Sequence, residues 1–240
     1  MPDMTIYDLL QTSSDDVKNN TIVVNSHDTQ TPYLLHISGE KNPKYIPRIG
    51  HRQGHNEDRT MPRVTASTCL TGCMVGYATM LQDFLDQNIL TGKGHLKDWK
   101  GGFYIHKLPF EYCLKPNKKL VYDADRSNEH WLVTYDENTR QFDSSLIGRI
   151  VYDKVTLEPV TGGYAVYFSF FIELKEAASL DNTTLYDPGY YAGVFKFDRN
   201  TSYKNASLSF EEVTRDMYLN RKREVASMLS AETKQIYSKW

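Results

Sequence analysis

Residues 164–174 read YAVYFSFFIEL, and their alternation decides the fold class. Tyr164, Val166, Phe168, Phe170, Ile172 and Leu174 fall on one face of an extended chain, because successive side chains of a strand point to opposite sides. Gly162-Gly163 supplies a turn just before this run, so the strand-like stretch 147–157 and the run itself read as a β-hairpin. Upstream, 21–25, 33–37, 63–67, 103–108, 119–122 and 130–135 are short β-branched or aromatic segments bounded by polar residues, and each reads as a strand. Downstream, 193–197 adds one more.

Two helices are expected among these strands. Over 68–87, Leu70, Cys73, Met74, Tyr77, Leu81, Phe84 and Leu85 recur at three- and four-residue spacing, with Ser67 or Thr68 as cap. Over 209–237, Ser209 and Glu212 have the capping-box form, and Phe210, Val213, Met217, Val225, Met228 and Leu229 supply the apolar stripe. The basic run Arg221, Lys222, Arg223 reads as a solvated helix face. A long loop at 38–62 separates the first strands from the rest, and loops of that length are often functional. The expectation is an α+β fold, a split and twisted sheet with packed helices, a C-terminal β-hairpin extension and a long terminal helix. Residues 1–30 form a loosely tied lead-in, 31–140 the core, and 141–240 the hairpin and closing helix.

At 240 residues the chain can bury a full core without staples. Its 28 basic and 30 acidic residues nearly balance, which excludes the cationic footprint of a phosphate-backbone binder and makes nucleic acid an unexpected main partner. Cys69, Cys73 and Cys113 are an odd set that fits a reducing compartment and buried apolar packing better than a disulfide framework. No run reaches the roughly 20 apolar residues of a membrane span, and the N-terminus lacks a signal-peptide pattern, so a cytoplasmic protein is expected.

Phosphate-loop, dinucleotide-loop and nucleophile-elbow patterns are absent from the sequence. His51 and His55 stand four apart, but the glycine between them and the loop setting spoil a metal pair. Three short segments remain: YLLHIS at 33–38, PRVTASTCLTGCMVGYA at 62–78 and NEHWLVTY at 128–135.

Read together, these segments resemble the split site of the ADP-ribosyltransferase superfamily, in the branch with an H-Y-E triad. The resemblance implies that His36 holds the adenosine ribose of NAD, that Ser67, Thr68 and Tyr77 flank the nicotinamide, and that Glu129 is catalytic. A carboxylate on the ribose would stabilise the oxocarbenium-like state formed as nicotinamide leaves. The implied function is a phage-encoded mono-ADP-ribosyltransferase that uses NAD to modify a host protein. A rival reading is a non-catalytic phage inhibitor binding a host protein through its many tyrosines. A third is a nuclease or nucleotide hydrolase built on Asp123, Asp125 and Glu129.

Overall fold

A computed structural model describes residues 5–49, 57–78, 102–134, 141–161, 163–206 and 208–228. The strands are β1 (Thr21–Asn25), β2 (Tyr33–Ser38), β3 (Lys44–Tyr45), β4 (Val64–Ser67), β5 (Gly102–Pro109), β6 (Tyr112–Pro116), β7 (Glu129–Leu132), β8 (Phe142–Asp143), β9 (Ser145–Val160), β10 (Gly163–Leu174), β11 (Ala178–Ser179), β12 (Leu185–Tyr186), β13 (Gly189–Phe197) and β14 (Leu208–Glu212). The helices are α1 (Ile6–Thr12), α2 (Asp15–Asn20), α3 over 70–78, α4 (Ala124–Ser127) and α5 (Arg215–Met228). Ten strands form one antiparallel sheet in the order β1-β6-β7-β4-β2-β5-β9-β10-β13-β14. The fold is therefore α+β, and no helix among the described residues is long and apolar enough to cross a membrane.

The β9–β10 hairpin is present, and the even-numbered side chains from Val166 to Leu174 are buried as the alternation predicts. They face α3, whose Leu70, Met74, Val75 and Ala78 close the main core together with Leu35, Ile105 and Phe195. Phe168 stacks on its cross-strand partner Phe195 with ring centroids 6.0 Å apart. At Gly193 an added Cβ would lie 2.9 Å from the Phe170 ring, so the missing side chain lets Phe170 and Phe210 meet across the strand between them. The opposite face is covered by α5, whose Tyr218 and Val225 pack on Val151.

Several elements differ from the sequence reading. Residues 119–122 are a turn leading into α4, and the strand in this region is β6, whose Pro116 ends the ladder. Ser209 and Glu212 lie in β14 rather than capping a helix, because 208–212 pair with β13. α5 begins after Thr214, whose hydroxyl accepts from the Met217 amide at 3.3 Å. The N-terminal lead-in is tied down. Thr5 and Asp8 form a capping box on α1, Ile6 and Val17 are buried beside Trp131 and Leu114, and β1 is the edge of the sheet. The second half of the 68–87 helix, Tyr135, the end of the terminal helix beyond 228, and His51 and His55 lie outside the described residues.

Candidate functional site

The faces of the sheet follow from register. Leu35 pairs with Ser67, and Ser67 pairs with Glu129, so these three side chains share one face. His36 is the next residue along β2 and points to the other face, where it pairs with His106. His36 and Glu129 therefore do not meet in a common groove. This is a correction to the site expected from the resemblance, and its cause is the pleat: neighbours in a strand alternate sides.

Each expected site residue has a local explanation. His36 Nδ1 lies 2.7 Å from the Thr65 carbonyl, to which it must donate, and the ring packs edge-on against Tyr45 at 4.7 Å. Burial pushes its pKa down to about 4, so the imidazole is neutral at neutral pH. Ser67 donates to the Ser127 carbonyl at 3.1 Å, and in the first turn of α3 the Thr71 amide donates to the Leu180 carbonyl at 3.0 Å. Tyr77 packs edge-on against Phe103 at 4.4 Å, as a core contact of α3. Glu129 Oε1 accepts from Trp131 Nε1 at 2.6 Å, and burial raises its pKa to about 7, with Asp123 and Glu57 adding to the rise and Trp131 and Arg63 opposing it. Asp125 is exposed on α4. Cys69 and Cys113 are buried with thiols pushed up to about 11 and 12, and Cys73 Sγ donates to the Leu35 carbonyl, so none is poised as a nucleophile.

Thr68 leads into a cavity, whereas Tyr77 borders only a small gap in the core beside Ile37, Met74, Phe168 and Phe195. Thr68 lines a cleft of about 320 Å³ at the β1 end of the sheet, together with Ile22, Lys115, Asn128, His130 and Asn182. Ile22 pairs with Lys115, while Leu114 pairs with Trp131, so Lys115 and His130 both lie on the face opposite Glu129. The segment 28–31 walls one side and Ser179 another.

Asn128 organises the floor. It ends α4 in the left-handed region, at φ 51 and ψ 47, the only non-glycine residue with positive φ among the described residues. Its side chain joins two others: Nδ2 donates to Thr68 Oγ1 at 2.6 Å, and Oδ1 accepts from Lys115 Nζ at 3.1 Å. Its carbonyl accepts from His130 Nδ1 at 2.8 Å. A carbonyl can only accept, so Nδ1 carries the proton and Nε2 is left as an acceptor. Burial, with a smaller push from Lys115, holds the His130 pKa down to about 4 and keeps the ring neutral. An ammonium with donors to spare, a fixed imidazole acceptor and several hydroxyl and amide groups thus converge on one small space.

Sequence reasoning missed Lys115, Asn128 and His130. Asn128 carried a usable signal, an asparagine following a short helical run, where left-handed caps are common. Lys115 and His130 carried none, because only the β6–β7 pairing brings them together. Among the described residues no group of three or more His, Cys, Asp or Glu could hold a metal ion. No protein-family model, curated protein or solved structure matches the chain.

Proposed function

We propose that this protein is a binding module for a small polar molecule carrying one anionic group, held in the cleft over Asn128. The observation that supports this reading is the left-handed Asn128, which ties Thr68 and Lys115 at the floor of a cavity. Non-glycine residues in sparsely populated backbone regions cluster at ligand sites, where surrounding structure maintains the strain. The anion goes to Lys115, and a hydroxyl or amine of the ligand donates to His130 Nε2. Asp28 at the exposed rim disfavours a second negative group on that side. At about 320 Å³ the cleft is near the lower end of the roughly 300–1,000 Å³ typical of ligand pockets. A ligand about the size of a mononucleotide or smaller fits that space better than a whole dinucleotide.

The transferase reading and the cleft reading make opposite demands of two residues. Calorimetric titration with NAD, nicotinamide mononucleotide and small phosphorylated sugars separates them. In the cleft reading Lys115→Met weakens binding roughly tenfold or more, the worth of a charge-assisted hydrogen bond. Glu129→Gln leaves it unchanged. Binding of NAD that is lost in Glu129→Gln and kept in Lys115→Met would overturn the cleft reading in favour of the transferase.

A further inference from the structure

We propose that the ligand of the cleft is a zwitterion, an amino acid with an apolar side chain, its carboxylate on Lys115 and its ammonium between His130 Nε2 and Asp28. The proposal rests on the cleft being the ligand site, and it names the chemical class that occupies it.

The charges of the cleft favour that class. Among the described residues that line it, Lys115 is the one cation and Asp28 the one anion. The remaining lining groups are hydroxyls, amides, aliphatic side chains and the neutral His130 ring. No ion pair among the described residues engages Asp28 or Lys115. A site with one charge of each sign and no net charge complements a molecule built the same way. A phosphate dianion would meet one cation and one repelling carboxylate, and an uncharged sugar would leave both charges unmatched.

The hydrogen bonds sort the two ends of the ligand. Asn128 Oδ1 takes one donor of the Lys115 ammonium at 3.1 Å, which holds it in place and leaves two N–H groups for a carboxylate. Thr68 Oγ1 accepts from Asn128 Nδ2 at 2.6 Å, so its own hydrogen is left to donate to the second carboxylate oxygen. His130 Nε2 is an acceptor, because Nδ1 donates to the Asn128 carbonyl. An ammonium has three donors and no acceptor, so it suits Nε2 on one side and the Asp28 carboxylate at the exposed rim on the other.

The apolar part of the ligand follows from β1. Ile22 pairs with Lys115, and Val24 lies two residues along on the same face, so both aliphatic side chains line the cleft. Ile22 is 62% exposed, an apolar surface that a ligand side chain would cover.

The test titrates the full chain by calorimetry with L-leucine, L-methionine and L-phenylalanine. Each is compared with its deaminated and its decarboxylated analogue, which for leucine are 4-methylpentanoate and 3-methylbutylamine. At least one amino acid should bind, roughly tenfold more tightly than either of its analogues. Lys115→Met should weaken it roughly tenfold or more. Asp28→Lys reverses the charge at an exposed position, and should weaken the amino acid while tightening its deaminated analogue, roughly two- to fivefold each way. The analogue comparison needs no variant, so the outcome does not hang on how either variant folds. A deaminated analogue that binds as tightly as its amino acid and is lost in Lys115→Met would overturn the zwitterion and leave the cleft as an anion site. An unchanged ranking in Asp28→Lys would do the same. Amino-acid binding that survives Lys115→Met would overturn both the zwitterion and the cleft reading. Failure of all three amino acids to bind would overturn the zwitterion, with the phosphorylated ligands still deciding the cleft.

Discussion

Asn128 concentrates the chemistry of the cleft in one backbone choice. Its left-handed conformation costs a residue with a β-carbon about 1–2 kcal/mol, less for asparagine than for most, and its two side-chain hydrogen bonds offset that cost. Asn128→Ala keeps the strain and removes both bonds, so a loss of about 2–4 kcal/mol is expected in urea unfolding. Asn128→Gly loses the same bonds but relieves the strain, and should be about 1 kcal/mol more stable than the alanine variant. If the two variants unfold together, the backbone there carries no strain and the argument for a maintained site weakens. The resemblance drawn from YLLHIS and NEHWLVTY singled out a histidine and a glutamate that lie on β2 and β7, with β4 between them, yet it could not fix their facing. Whether His36 and Glu129 share a side depends on how β2, β4 and β7 align, and a one-residue slip reverses every side chain. That alignment is a long-range property that no local pattern encodes.

The elements were legible in proportion to their periodicity. The β9–β10 hairpin and the start of α3 could be read directly, because each repeats its apolar residues over several turns or pleats. The two-residue strands β3, β8, β11 and β12 could not, since so short a segment has no period. Ser209 and Glu212 misled for a different reason: a spacing of three satisfies a capping box, but Phe210 pairs with Gly193 and its ring packs on Phe170, which commits the segment to the sheet. α3 shows how close an element can sit to its neighbours. A Cβ at Gly72 would lie 2.0 Å from Ser67 Oγ and 2.4 Å from the Ser127 carbonyl oxygen, so the helix approaches β4 and the end of α4 through a residue without a side chain. Gly72→Ala should therefore destabilise the protein by about 1–3 kcal/mol or more, although alanine is the better helix former by roughly 1 kcal/mol. Chemical denaturation decides the sign. A stabilised variant would show that α3 can move away from β4 at little cost, and that the floor of the cleft at Thr68 is less firmly held than the hydrogen bonds suggest.

Over the whole molecule the buried titrating groups act in opposite directions. His36 and His130 are held down to about 4 by burial, from an ordinary 6.5, and His106 is lowered too. Between pH 6.5 and about 4 the unfolded chain takes up protons that the native imidazoles refuse, so their contribution to stability is lost as pH falls through that window. Glu129 is the reverse, raised to about 7 from 4.5. The native state keeps a proton there that the unfolded chain releases, so this contribution is lost as pH rises through 4.5–7. In the shared window the two strongly shifted histidines outweigh one carboxyl, and stability should rise with pH by about 1.4 kcal/mol per unit, the value of one net proton. Glu129→Gln keeps an acceptor for Trp131 and removes the opposing titration. Its slope between pH 4.5 and 6.5 should therefore be about twice that of the wild type. Above pH 7 the glutamine variant should be the more stable by about 2 kcal/mol, allowing for partial solvation of the carboxylate, and the difference should vanish near pH 4.5. Urea unfolding of both proteins across that range measures each of these. Parallel curves would mean that Glu129 titrates as a solvated surface carboxylate, which would also remove the basis for treating it as a proton-holding group on the face opposite the cleft.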